Sequence, residues 1–151
     1  EDKQLYLKGV SCKSIEMTRS LPEIKSISYL PSFLSHQKAS KLGFYDAILI
    51  DKNAEVYEGA YSNIFWLENN FLCTRKHGVL AGITAQKIIK KSPYKIKFTK
   101  INLKNLIKKS EIFLTQSTRG IVPIIKIDNH KIGNGEPGEK TKKLMRIFSF
   151  L

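Results

Sequence analysis

The sequence predicts an α/β (α+β) domain, a curved mixed sheet or partial barrel with flanking helices. Three observations lead there. Short runs rich in Ile, Val and Phe recur along the chain: DAILI, SNIFWL, FLCT, YKIKFTKI, EIFLTQ and IVPIIKI. Segments of helical spacing lie among them: PSFLSHQKASKL, ITAQKIIKKS and GEKTKKLMRIF. No repeat or linker-like stretch divides the 151 residues, a length suited to one domain with a genuine core.

Taken in order, SISYL reads as extended, and Pro31 after it suits the first turn of a helix. That helix, PSFLSHQKASKL, stops at Gly43, a favourable C-terminal cap. DAILI is a continuous apolar run of the kind found in buried strands. DKNAEV turns the chain and SNIFWL returns it as a second strand, with Glu58 leaving a strand directly before Gly59. The ENN turn joins SNIFWL to FLCT as a hairpin. After KHGVLAG comes a helix with Ile83, Ile88 and Ile89 placed on one side. YKIKFTKI alternates Ile96 and Phe98 against lysines, as a half-exposed strand does. Asn102 is positioned to cap the short helix LKNLIKK. EIFLTQ and IVPIIKI are strands separated by the polar loop STRG. DNHK makes the last turn, and the final helix sets Leu144 and Phe148 one turn apart.

Composition narrows the function classes. The 42% hydrophobic and 26% charged residues are ordinary for a soluble globular chain. No apolar run approaches the ~18 residues that cross a bilayer, so no membrane partner is expected. The stretch EDKQLYLKGV has no signal-peptide pattern. The net charge of +13 rests on 22 lysines against four arginines. Their densest clusters, KIIKK, NLIKK and KTKK, fall on wet helix faces or C-terminal ends, where cations are favoured. Nucleic-acid modules prefer arginine with exposed aromatics, so no nucleic-acid partner is expected either. Cys12 and Cys73 lie far apart, and His36, His77 and His130 are isolated, so no metal site is expected. Buried thiols in a reducing cytoplasm account for the cysteines.

Four places carry residues suited to chemistry. Lys25, in PEIKSISYL, stands alone between Ile24 and Ile27. It is either a solvated strand lysine or an amine in an apolar pocket, where desolvation lowers its pKa and exposes a nucleophilic lone pair. Glu58, in YEGAYSN, is a surface carboxylate beside a turn glycine, a cap or a charge partner. In LAGIT a glycine leads into a helix, leaving free N–H groups beside the Thr84 hydroxyl; this is a plain helix start or an anion pocket. TQSTRG offers Ser117, Thr118 and Arg119, either as a polar loop or as further donors. Together the four match pyridoxal phosphate, which needs an amine for its aldehyde, a carboxylate for its ring nitrogen, and N–H and O–H donors for its phosphate.

In their order and spacing, PEIKSISYL, DAILID…EVYEGAYSNIFWL, LAGIT and EIFLTQSTRGIVPI…IGNGEPGEKTKKL resemble the C-terminal large domain of the class IV pyridoxal-phosphate enzymes. That family includes branched-chain and D-amino-acid aminotransferases and aminodeoxychorismate lyase. The resemblance covers nearly the whole chain and implies pyridoxal 5'-phosphate as cofactor. It implies Lys25 as the Schiff-base lysine that also shuttles a proton, and Glu58 as the carboxylate on the ring nitrogen. Ser62 and Asn63 would support the pocket, Leu80 would pack on the ring face, and Tyr29 would reach the ring hydroxyl. Gly82, Ile83 and Thr84 match the phosphate-binding helix start, and Ser117 with Thr118 the second phosphate loop. The chain departs from the family at Ala85, where arginine is usual.

The resemblance makes residues 1–151 a single domain, with the family's N-terminal small domain absent from the chain. The implied activity is transamination between an amino acid and a 2-keto acid, in a cytoplasmic homodimer. The alternatives are a lyase releasing pyruvate from aminodeoxychorismate to give 4-aminobenzoate, a non-catalytic remnant domain, and a basic nucleic-acid binder.

Overall fold

The computed structural model describes residues 3–20, 22–24 and 29–148. A short helix, α1 (Gln4–Lys8), leads through Gly9 into β1 (Val10–Glu16). Helix α2 (Leu30–Lys41) then connects to β2 (Asp46–Ile50). Three strands follow in quick succession: β3 (Val56–Gly59), β4 (Asn63–Glu68) and β5 (Phe71–Thr74). After them come α3 (Ile83–Lys91), β6 (Lys95–Phe98), α4 (Leu103–Leu106), β7 (Ile112–Gln116), β8 (Gly120–Ile127), β9 (His130–Lys131) and α5 (Glu139–Ile147).

The described strands make one sheet in the order β3-β2-β1-β8-β7-β4-β5-β6, with β9 paired to β8. β1 runs parallel to both β2 and β8, and β6 parallel to β5; the other pairs are antiparallel. The order forces curvature. β3 and β4 stand five places apart in the sheet, ~24 Å if it were flat. Yet only residues 60–62 join them, and four residue steps span at most about 14 Å. The sheet therefore curls until its β3 edge meets β4, giving the partial barrel that the sequence predicts.

Strand alternation distributes the core. Ile64 and Trp66 of β4 face one buried cluster with Ile48, Leu106, Ile112 and Leu114. Phe65 and Leu67 face another, built with Ile88 of α3 and Leu144, Met145 and Phe148 of the α5 segment. Phe65 and Phe113 are direct cross-strand partners, and their rings stack at 5.2 Å. A third cluster joins Ile15, Ala47 and Leu49 to Ala39 of α2. Helix α5 lacks a side-chain cap of its own, because its N-cap is Gly138. Glu111, just before β7, takes that role: its Oε2 accepts from the Thr141 N–H (2.8 Å) and Oγ1 (2.7 Å), and a methyl group at Gly138 would collide with it.

The structure departs from the sequence expectations in several places. β1 and α1 were not expected, because VSCKSIE interleaves Ser and Lys with its apolar residues; β1 is nevertheless an inner strand, paired on both sides. DAILI pairs with VYEG, not with SNIFWL, which lies between FLCT and EIFLTQ. Of SISYL, residues 26–28 lie outside the described residues, and Leu30 already begins α2. Ile83 is exposed while Ile88 is buried: five residues along a helix rotate a side chain by about 140°, so the two cannot share a face. The ENN hairpin, the Asn102 cap and the pair Leu144 and Phe148 are as expected, but β6 does not alternate: Ile96 is half-buried while Phe98 is exposed like the lysines beside it. Among the described residues no helix is long and apolar enough to cross a membrane, and no three His, Cys, Asp or Glu side chains group as metal ligands.

Asp128 locks β1 to the end of β8. Its Oδ1 accepts from Lys13 Nζ (2.8 Å) and the Ser14 N–H (3.0 Å), and its Oδ2 accepts from Ser14 Oγ (2.6 Å). Burial raises this carboxyl, but the Lys13 and Ser14 bonds outweigh burial and hold it below its ordinary value of 3.8. A depressed folded-state value means that the stabilisation is complete above the unfolded value and is lost as pH falls through the folded one. Asp128→Asn keeps a side chain that tolerates the left-handed backbone at this position (φ 52°). It is expected to cost about 1–2 kcal/mol at neutral pH and much less once the pH lies below the folded-state value of the carboxyl, as read from urea unfolding at neutral and at acid pH.

Candidate active site

Glu58 lies near the end of the edge strand β3 and is only 3% exposed. Such a carboxylate needs compensation, and two groups from distant segments provide it. Arg19, in the segment after β1, donates through Nη1 to Oε1 at 2.6 Å, and the Leu80 N–H donates to Oε2 at 3.1 Å. Burial pushes the Glu58 carboxyl above its ordinary range, and the Leu80 amide and Arg19 pull against that rise. Sequence reasoning missed Arg19. Its only signal was its type, since one of four arginines among 22 lysines is the residue suited to a buried ion pair.

The turn from Glu58 to Asn63 is held from beneath. The Gly59 N–H donates to the Ser62 carbonyl at 2.7 Å, and Ser62 Oγ donates to Asp46 Oδ2 at 3.4 Å. Asp46, buried at the start of β2, also accepts from the Ala47 N–H at 2.8 Å and bonds His36 Nδ1 at 3.1 Å. Burial raises the Asp46 carboxyl, with the His36, Ala47 and Ser62 bonds opposing it. The His36 ring in turn lies 5.3 Å from that of Tyr61. A side chain on residue 59 would collide with Ser62 Oγ, which is why glycine follows Glu58. His36, isolated in the sequence, is thus part of a network one layer behind the turn.

Asn63 grips the next segment. Its Nδ2 donates to the Leu80 carbonyl at 2.7 Å, so the Leu80 backbone is clamped through N–H by Glu58 and through C=O by Asn63. The Asn63 Oδ1 lies so close to Gly82 that a methyl group there would strike it. Gly82 is the N-cap of α3 and carries no capping side chain, so the first N–H groups of the helix are left without a side-chain partner beside the Thr84 hydroxyl. Ala85, where the resemblance implies an arginine, is buried against the Phe65 and Ile88 cluster.

One cavity of about 370 Å³ collects these groups, a volume within the roughly 300–1,000 Å³ of small-molecule sites. It is lined by Tyr29, Glu58, Ser62, Asn63, Leu80, Gly82, Ile83 and Thr84, and by Ser117 and Thr118 in the turn between β7 and β8. Lys25 lies outside the described residues. Arg19, Ser32, Gly59, Ala60, Tyr61, Thr115 and Gln116 also line the cavity and were not singled out from the sequence.

Comparison with known proteins connects this arrangement to a family. The model of a family described as amino-transferase class IV matches residues 1–127. A Methanocaldococcus jannaschii protein, provisionally named a branched-chain-amino-acid aminotransferase, is 33% identical over 144 residues, 92% of this chain and 50% of its own. The D-alanine aminotransferase of Bacillus licheniformis is 30% identical over 142 residues, 90% of this chain and 50% of its own. The crystal structure of the branched-chain amino acid aminotransferase from Thermobaculum terrenum, in its PLP-bound holo-form, shares the fold. Its TM-score is 0.87 at 23% identity, covering 99% of this chain and 52% of that one. The chain spans about half the length of the curated relatives it matches.

The Asn63–Gly82 contact generates a stability prediction. Asn63→Ala, which frees the Leu80 carbonyl, and Gly82→Ala, which strikes Asn63, are each expected to cost about 1–2 kcal/mol in urea unfolding. Their double variant is expected to cost less than the sum, because the added methyl no longer meets a carboxamide.

Proposed function

The chain belongs to the class IV aminotransferase family, and on that premise we propose that it forms the cofactor-binding domain of a pyridoxal 5'-phosphate-dependent enzyme, moving an amino group between an amino acid and a 2-keto acid. The observation that carries this reading is the convergence of Glu58, the α3 N-terminus and the Ser117–Thr118 turn on one cavity.

The donor set fits the cofactor. An anion is well received where unpaired helix N–H groups meet hydroxyls, and Gly82, Ile83, Thr84, Ser117 and Thr118 supply both kinds of donor to the phosphate. A cationic ring nitrogen calls for a fixed carboxylate, and Glu58 is held by Arg19 and by the Leu80 N–H. When bound, the cofactor supplies an aldehyde for amine capture and a ring that withdraws electrons from the substrate carbon. Glu58 would keep the ring nitrogen protonated. Leu80, its backbone fixed at both ends, would pack on the ring face, and Tyr29 would meet the ring hydroxyl. Ser62 and Asn63 hold the turn that places Glu58. Lys25 is the amine that would hold the cofactor and would exchange a proton with the substrate carbon, a role assigned on its place in the sequence.

The remaining parts of the reading are carried over from the family as part of the proposal. The domain works with a small domain supplied by further polypeptide, as a cytoplasmic homodimer acting on small amino and keto acids. The relatives compared above are named aminotransferases, which supports transamination over pyruvate release from aminodeoxychorismate.

In the full-length protein, added pyridoxal 5'-phosphate is expected to give an absorption band at about 400 nm and, after borohydride reduction, a modified Lys25 peptide. Lys25→Ala should lose both signals; a wild-type protein with neither overturns the reading. Glu58→Gln is expected to keep the covalent attachment and to lower kcat by about a hundredfold, measured with an amino-acid panel and 2-oxoglutarate.

A further inference from the structure

The Arg19–Glu58 ion pair is a wall shared by two cavities. Both residues line the main cavity, and both line a smaller one of about 180 Å³ together with Met17, Pro22, Leu49 and Tyr57. The Arg19 side chain is itself only 17% exposed. A carboxyl buried as deeply as Glu58 can avoid the cost of its charge by taking a proton, and burial does push it upward. Arg19, 2.6 Å from Oε1, works against that and keeps a charge inside the fold at a cost in stability. Among the described residues, Arg19 and the Leu80 N–H are the donors to Glu58, one on each oxygen. A carboxylate accepts at about four positions, so Glu58 has capacity left for a donor in the cavity. The other titratable groups on the cavity wall are Tyr29 and Tyr61.

Arg19 also reaches toward the lysine-bearing stretch. Its Nη2 donates to the Ile24 carbonyl at 3.5 Å, the outer limit for such a bond, and residue 24 directly precedes Lys25. Beside it, Glu23 Oε1 accepts from the Gly78 N–H at 3.1 Å. The stretch leading into Lys25 is thus tied to Glu58 and to the segment that carries Leu80.

We propose that Arg19 is a positioning residue that, acting through Glu58, holds the proton of the Glu58–cofactor contact on the ring nitrogen. This rests on the cofactor reading given above. A carboxylate and a pyridine nitrogen can share one proton with it on either partner. A cation bonded to the carboxylate stabilises the anion more than it disfavours the more distant protonated nitrogen, because Coulomb energy falls with distance. Arginine suits this use because it keeps its charge at every working pH. Without it, the buried Glu58 retains the proton as a neutral acid and the ring nitrogen is left bare.

The test loads the full-length protein with pyridoxal 5'-phosphate isotope-labelled at its ring nitrogen, whose NMR position separates protonated from bare nitrogen. Wild type, Arg19→Gln, Arg19→Lys and Glu58→Gln are compared at neutral pH, and urea unfolding of each apoprotein checks its folding. Wild type should show a protonated nitrogen. Arg19→Gln should move the resonance toward the bare position and lower kcat about tenfold. Arg19→Lys, which keeps a cation, should stay closer to wild type than Arg19→Gln in both readouts. In the Glu58→Gln background, Arg19→Gln should displace the resonance no further, because the effect passes through Glu58. That comparison leaves no buried carboxylate unpaired, so it serves where Arg19→Gln alone does not fold. A wild-type resonance in Arg19→Gln, whatever its stability, means a structural role and overturns the proposal while leaving the cofactor reading intact. A further displacement in the double variant overturns it as well. If wild type takes up no cofactor, the cofactor reading falls and this proposal with it.

Discussion

A carboxylate nearly closed off from water has to be compensated, and the way Glu58 is compensated ties the site together. Its two oxygens reach different parts of the chain. One takes the guanidinium of Arg19 from the segment that follows β1, and the other takes the backbone N–H of Leu80 from the segment before α3. Glu58 itself sits on an edge strand. Three regions remote in sequence are therefore fixed relative to one another by one charge, and all three border the same cavity. Loss of either partner would leave the charge partly unpaired, a far larger cost than any single surface ion pair in this lysine-rich chain.

The curl of the sheet makes that convergence possible. A three-residue connection brings an edge strand round to β4 and leaves a tight turn at the closure. Asp46, His36 and Ser62 brace the turn through one chain of hydrogen bonds, and Asn63 ties it to the Leu80 segment. Glycine occurs where these braces crowd the backbone: Gly59 against Ser62, and Gly82 against Asn63. At the opposite end of the sheet, β6 exposes an edge, and Lys95 and Lys97 discourage pairing with another chain there. Some of the lysines thus have a structural use that needs no polyanionic partner.

Legibility in the sequence followed the physics of each signal. Local signals were readable. Asn102 caps its helix because a side-chain oxygen two residues from an orphan N–H needs no tertiary context. The β4–β5 hairpin is set by its own turn, where Asn69 adopts a left-handed backbone. Signals that depend on pairing were not readable. VSCKSIE carried no strand signal, and DAILI was matched to the wrong antiparallel neighbour, because sheet order depends on contacts between segments far apart. Spacing groups Ile83 with Ile88 and Ile89 on one side of α3, although its angular position at the start of the helix turns it outward.

What the sequence by itself determined was a set of chemical groups in a fixed order: a carboxylate before a glycine, a glycine opening a helix beside a hydroxyl, and a hydroxyl-rich turn between two strands. Side-chain type and the immediate backbone are local properties, so composition and spacing carry them. Only the tertiary structure decided that these groups share a cavity, that Arg19 neutralises Glu58, and that His36 and Asp46 stand behind the turn. Compensation of a buried charge and satisfaction of a buried donor are properties of what lies across the fold, and no window of consecutive residues contains them.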